Sequence, residues 1–361
     1  MTASQTSVRM SAPNQDTGRI AFIDAIRGFA ALLVVLQHAL NRSHLLVTGP
    51  NSIATSVLDL GEAGVLAFFL VSGFIIPFSL ERYGHLGKFW INRAFRIYPL
   101  YLLAYAVMAY LNGSTWLHTP GAFAVNFLAH LLLVQDYVGQ KNLVGVSWTL
   151  SLEAVWYAGF SLLFALGLHR RNRLAVACAV ALSALAGTLS LARAGHVPMG
   201  RVVLITACLW GLVLYRRFDG SIGRREMAWA SAVLLAIIVT DLTIGFLLRR
   251  AAGPAVISYR SVLLSSGLGA LLFGVPYLTR TRAAWRRSAI AFLGRISYSI
   301  YLVHGAVMLL LVRSGIDGFA EILLALVLTI PIATLTYKYI EQPGIMLARR
   351  LNASFGAPVA A

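Results

Sequence analysis

Apolar residues fall along the chain in ten long blocks, roughly 20–41, 57–80, 97–111, 146–168, 174–193, 199–215, 227–248, 256–279, 289–311 and 318–342, with short polar segments between them. A helical run of about 20 apolar residues spans the hydrocarbon core of a bilayer, and a helix satisfies its own backbone polar groups there. The pattern therefore predicts an all-α, polytopic integral membrane protein with about ten transmembrane helices. An eleventh run, 122–134, is too short to span and reads as a re-entrant or interfacial helix. The first 19 residues are polar, and Asp24 and Arg27 interrupt the apolar run that starts at Ile20, which argues against a cleavable signal peptide. Three regions are expected: an N-terminal cytoplasmic tail at 1–19, a membrane domain at 20–343 and a cytoplasmic C-terminal tail at 344–361. No internal repeat, low-complexity tract or soluble appendage is visible.

Composition strengthens this reading. Of 361 residues, 58% are hydrophobic before the 31 glycines are counted, and 12% are charged, about half the usual share. One soluble core of ordinary proportions would not hide so much apolar surface. Cys178 and Cys208 lie in apolar runs without ligand spacing, so neither a disulfide framework nor a zinc site is expected, and no metal is assigned.

The formal charge of +17 looks at first like a nucleic-acid signal, but its distribution follows the spans. With the N-terminus inside, nineteen Lys and Arg fall in cytoplasmic segments, including Arg9, Arg19, Arg82, Lys88, Arg93, Arg96, Arg216 and Arg217. Seven fall outside (Arg42, Lys141, Arg193, Arg201, Arg249, Arg250 and Arg313), and Arg27, Arg260, Arg295 and Lys338 lie within spans. This is the positive-inside bias; it places both termini in the cytoplasm and names anionic membrane lipid, with no nucleic acid, as the partner of most of the charge. Had 122–134 crossed, every later basic cluster would invert.

Ionisable residues at membrane depth are costly and point to function or to structural ion pairs. Arg27 and His38 are eleven residues apart, so they share one face of the first span about 16 Å apart, with Asp24 one turn before Arg27. Arg93 and Arg96, at i and i+3, open the third span, where a helix N-terminus and two forked guanidiniums suit phosphate or simply anchor the span end. Glu153 follows Trp148 in the fourth span about 10 Å from its outer end, near the expected depth of His38, where a carboxylate would orient an imidazole for general-base work. Tyr298, Tyr301 and His304 form a stripe in the ninth span, as packing or as a site wall. Asp241 with Arg260, and Arg295 with Glu341, are the expected structural ion pairs. Cations thus gather in the inner half and His38, Glu153 and His304 in the outer half, as an anionic cytoplasmic ligand with a buried reactive group would require.

Six blocks in order carry a resemblance: Phe22-Ile23-Asp24-Ala25-Ile26-Arg27-Gly28 with His38, Phe68 to Phe74, Arg93-x-x-Arg96, Ser147-Trp148-Thr149-Leu150 leading to Glu153, Ser297-Tyr298 through His304, and Glu341-Gln342-Pro343. Together they resemble the acyltransferase-3 family of integral membrane O-acyltransferases over about 20–343. The resemblance implies transfer of an acyl group, commonly acetyl, from cytoplasmic acyl-CoA to a hydroxyl of an extracytoplasmic or lipid-linked carbohydrate such as exopolysaccharide or O-antigen. It implies a multi-pass protein of the bacterial cytoplasmic membrane, with acyl-CoA as donor substrate and no tightly bound cofactor. By motif, Arg93 and Arg96, with Arg27 beside them, would hold the CoA phosphates, and His38 would be the catalytic histidine. Some relatives append a periplasmic hydrolase-like domain; none is expected here, so direct transfer or work with a separate partner is the expectation.

Residues and resemblance together lead to one expectation: His38, oriented by Glu153, deprotonates an acceptor hydroxyl that attacks the thioester. An acyl-histidine intermediate is the competing route. A transporter or flippase for a lipid-linked saccharide is the rival from another class, although Pro77, Pro276 and Pro331 interrupt spans in unmatched places.

Overall fold

The computed structural model describes residues 20–42, 57–112, 119–192, 198–252 and 258–354. The expected tail at 1–19 with Arg9 and Arg19, Arg193, the side chains of Arg249 and Arg250, and residues 355–361 of the expected C-terminal tail lie outside the described residues. All regular elements described are helical. They run α1 Ala21–Arg42, α2 Leu60–Tyr83, α3 Leu86–Leu111, α4 Pro120–Leu131, α5 Trp148–Ala165 and α6 Asn172–Ala192. After these come α7 Met199–Phe218, α8 Arg224–Ala252, α9 Tyr259–Leu278, α10 Ser288–Arg313, α11 Gly318–Thr336, a π-helical turn at Tyr337–Glu341 and α12 Gln342–Ser354.

Among the described residues, nine helices are long and apolar enough to cross a membrane: α1, α2, α3, α6, α7, α8, α9, α10 and the α11 to α12 segment. The remaining expected span is α5, whose 18 residues carry Ser151 and Glu153 and cover about 27 Å. The short eleventh run is α4, 12 residues and about 18 Å long. Bulky side chains such as Leu162, Leu185, Leu271, Val327 and Leu335 are exposed around the bundle. In a bilayer they face hydrocarbon rather than water.

Glycines set the closest helix approaches. A Cβ at Gly73 of α2 would overlap the carbonyl of Cys208 in α7, and one at Gly211 would overlap the carbonyl of Leu70, so these two backbones touch. Small residues are the usual means of such close crossing between membrane helices. A second crossing joins α1 to α10, where Gly28 lies against Leu293 and Gly294, and a Cβ at Gly294 would overlap the carbonyl of Asp24. His38 and His304 each follow these glycines by ten residues and meet again in space. The two helices therefore run in the same direction, side by side.

That direction constrains the crossings. Two parallel membrane helices need an odd number of crossings between them, and six of the nine candidate spans separate α1 from α10. Only one of α4 and α5 can therefore cross, and length selects α5. Helix α4 instead packs beside α3 through Tyr98 Oη donating to Leu131 O at 2.6 Å, Tyr101 Oη bonded to His130 Nδ1 at 2.7 Å and Tyr105 Oη donating to Asn126 at 3.0 Å.

One boundary differs from expectation. The third span was expected from residue 97, but α3 begins at Leu86, capped by His85 Nδ1, which accepts from the Gly87 and Lys88 amides. Charged residues lower the hydropathy of 86–96 without interrupting the helix. Arg93 and Arg96 therefore sit two to three turns inside α3, away from the N-terminal amides that were expected to help bind an anion.

Candidate active site

Among the described residues, two of the chambers along the bundle hold most of the expected site residues. The smaller, about 100 Å³, is walled by α1, α2, α3, α5 and α10 and contains Arg27, Arg93, Arg96 and Glu153. The larger, about 630 Å³, is walled by the C-terminal part of α1, the start of α2 and parts of α5, α7, α8 and α9, with His38 on its wall. Val65 and Tyr301 line both chambers. Tyr301 is pinned between them by a 3.0 Å bond from its hydroxyl to Thr149 Oγ1 and by the edge-on ring of Phe68.

In the arginine chamber, the Arg93 guanidinium donates to Ser79 Oγ at 2.9 Å and lies 5.4 Å from the Phe89 ring and 5.6 Å from the Tyr157 ring. These contacts fix its plane, while its Nε is buried without a partner. Arg96 lies 3.9 Å from Glu341, a carboxylate that also accepts from Ser299 Oγ at 2.9 Å. Arg295, expected to pair with Glu341, has its guanidinium over the Phe292 ring. Glu153 accepts a hydrogen bond from Ser72 Oγ. Tyr298 completes the wall, its hydroxyl donating to Ile97 O at 2.8 Å.

In the histidine chamber, His38 Nδ1 lies 3.1 Å from His304 Nε2, with the two rings stacked at 5.1 Å and an interplanar angle of 16°. His304 is 2% exposed, and its Nδ1 lies 3.2 Å from Ile300 O. A carbonyl only accepts, so His304 carries its proton on Nδ1, and the neutral ring offers a lone pair at Nε2. His38 then donates from Nδ1, which leaves its Nε2 as a basic lone pair beside the chamber. The partner that orients His38 is His304. The expected pairing of His38 with Glu153 is corrected, since Glu153 is bonded to Ser72 and belongs to the arginine chamber.

The structure brings Arg27, Arg93, Arg96, Glu153 and Tyr298 together in one chamber, and His38 with Trp148 on the wall of the other. Asp24 is buried and lines neither chamber; its carbonyl lies at the α1 to α10 crossing. The expected Asp241 to Arg260 ion pair is also corrected. Asp241 is fully buried and accepts from Ser183 Oγ at 2.5 Å, whereas Arg260 is exposed. Asp241, Asp59, Glu62, Gln37 and Asn41 all line the histidine chamber and were not assigned to a site from sequence. The available signal was a carboxylate in the outer half of a span; charge pairing with the nearest arginine absorbed it.

Comparison with known proteins bears on this arrangement. An acyltransferase-domain family matches residues 20–338. Nodulation protein 10 of Rhizobium leguminosarum bv. viciae is 30% identical over 367 residues, covering 91% of this chain and 95% of that protein. Acyltransferase MdmB of Streptomyces mycarofaciens is 29% identical over 154 residues, covering 41% of this chain and 40% of that protein. A Bacillus subtilis (strain 168) protein provisionally named peptidoglycan O-acetyltransferase YrhL is 26% identical over 372 residues, covering 89% of this chain and 54% of that protein. No solved structure matches the chain.

Proposed function

Because this chain belongs to the acyltransferase family that matches residues 20–338, we propose that it moves an acyl group, acetyl foremost, from cytoplasmic acyl-CoA to a hydroxyl of an extracytoplasmic or lipid-linked carbohydrate. The observation that carries the reading is the His38 to His304 pair at the wall of the larger chamber, which leaves His38 Nε2 free to take a proton. The arginine chamber supports the donor half. CoA phosphates would meet Arg27, Arg93 and Arg96 at one end, where forked guanidiniums suit them.

Chain length agrees with this division. The dozen or so bonds between the CoA diphosphate and its sulfur reach about 15 Å when extended, at roughly 3.5 Å per three bonds. Arg27 and His38 are about 16 Å apart along α1. A thioester whose phosphates rest on the arginines would thus pass Val65 and Tyr301 and end near His38.

On this reading the reaction is a direct transfer. His38 Nε2 accepts the acceptor hydroxyl proton as the oxygen attacks the thioester carbonyl, the C–S bond breaks, and the imidazolium returns the proton to the departing CoA thiolate. His304 holds His38 in the required tautomer throughout. Saccharide translocation has less support, because Pro77, Pro276 and Pro331 interrupt α2, α9 and α11 in unmatched places rather than as a repeated pair of broken helices.

The test is His38→Ala in the purified full chain with acetyl-CoA and an acceptor. O-acetyl transfer is expected to vanish while acetyl-CoA binding persists; undiminished transfer overturns the reading. Incubation with labelled acetyl-CoA and no acceptor decides the route, and a covalent acetyl-protein would replace direct transfer with an acyl-histidine intermediate.

A further inference from the structure

The histidine chamber has a composition that its catalytic dyad does not explain. Among the described residues its wall carries three carboxylates, Asp59, Glu62 and Asp241, and no lysine or arginine. Asp241 of α8 is the most telling. It is 0% exposed, one carboxylate oxygen accepts from Ser183, and the other is buried without a partner. Buried carboxylate oxygens are strongly disfavoured without a donor, so this one points to a hydroxyl or amine supplied by a ligand.

The neighbouring groups complete a recognition surface. Gln37 accepts from the Leu60 amide at 2.9 Å and donates to Asn41 Oδ1 at 2.7 Å, which leaves the Asn41 amide nitrogen as a donor at the chamber. Asp59 is half committed, capping α2 by accepting from the Glu62 amide at 2.9 Å. Trp148 adds an indole to the wall. An acceptor, a donor and an aromatic face are what a polyol ring requires, since each hydroxyl both gives and takes and the C–H face packs on a ring. Among the described residues no group of three His, Cys, Asp or Glu is placed to hold a metal ion, and the unpartnered Asp241 oxygen is a hydrogen-bond acceptor.

We infer that the histidine chamber is an acceptor subsite for a saccharide that carries no negative charge, neutral or amine-bearing, and that Asp241 selects it. A uronate or phosphosugar would bring a second negative charge against carboxylates at low dielectric. An amine would pair with Asp241 directly. The inference rests on the acyltransferase reading for its word "acceptor", and its test does not depend on turnover.

The test is saturation-transfer NMR on the full chain in lipid nanodiscs with matched β-1,4-linked tetrasaccharides: neutral N-acetylchitotetraose, amine-bearing chitosan tetraose and the anionic glucuronate tetramer. The first two are expected to bind and the glucuronate tetramer to give no signal at the same concentration. Asp241→Asn keeps the shape and is expected to weaken the amine-bearing tetramer about tenfold or more. Acetyl-CoA binding by that variant reports its fold. Equal binding of all the tetramers, or unchanged affinity in the folded variant, overturns the inference. The charge ranking is read on the unaltered chain and holds whether or not the variant folds. Absent acetyl transfer with the ranking intact would remove the acyltransferase reading and leave the subsite.

Discussion

At the scale of single residues, the dyad gives the sharpest expectation. His304 touches the proposed base and lines neither chamber, so it is a positioning residue. His304→Ala is expected to lower kcat about a hundredfold with unchanged acetyl-CoA affinity, within the range of misplaced general-base catalysis. His304→Gln, whose amide oxygen accepts from His38 Nδ1, is expected to recover part of that loss. A purely structural role would give no such recovery, and steady-state kinetics on both variants separate the two. Arg93→Ala with Arg96→Ala should instead weaken acetyl-CoA binding by an order of magnitude or more, measured directly by calorimetry. Sequence spacing was enough to bring Tyr301 beside His304, whose ring centroids lie 6.1 Å apart, because helical periodicity relates residues on one helix. It was not enough to choose partners between helices. Glu153 has about the right height for His38, but it lies one turn beyond Thr149, on the far side of the Thr149 to Tyr301 bond. Height is written in the apolar run; azimuth is decided by packing.

At the scale of elements, the α1 to α10 crossing fixes the register of the dyad. Gly294→Val would press a branched side chain into the Asp24 carbonyl and force the helices apart. Overpacking of this kind costs about 1–3 kcal/mol, and transfer should fall further than the loss of thermal stability explains. Comparing Tm with kcat checks this. Helix α4 carries a pH-dependent anchor. His130 is buried against Tyr101 Oη and Lys141 O, and burial lowers its pKa from 6.5. A released α4 binds the proton more readily than a docked one, so docking is fully supported above pH 6.5 and weakens as pH falls below it. Amide exchange across 120–131, corrected for intrinsic rates, is expected to rise between pH 7.5 and 5, and His130→Gln should remove the dependence. The spans themselves were legible because apolar runs of that length have few alternatives. The first three turns of α3 were not, since Lys88, Asn92, Arg93 and Arg96 break the apolar run while Leu86, Phe89, Trp90 and Phe95 continue the helix.

At the scale of the whole molecule, the parallel course of α1 and α10 and the basic segments describe one arrangement. We expect Ser221, in the loop after α7, to face the cytoplasm and Tyr137, in the loop after α4, to face outward. With Cys178 and Cys208 replaced by alanine, a cysteine at either position should react with an impermeant maleimide from one side only, opposite for the two. Labelling from the same side would refute the ten-crossing arrangement. Tyr301 has a further consequence at this scale. With a chamber on each side of it and its hydroxyl tied to Thr149, this one phenol is a partition inside the bundle. On the proposed reading, the donor's arm passes beside this ring, so the size of one side chain sets what travels between the two chambers.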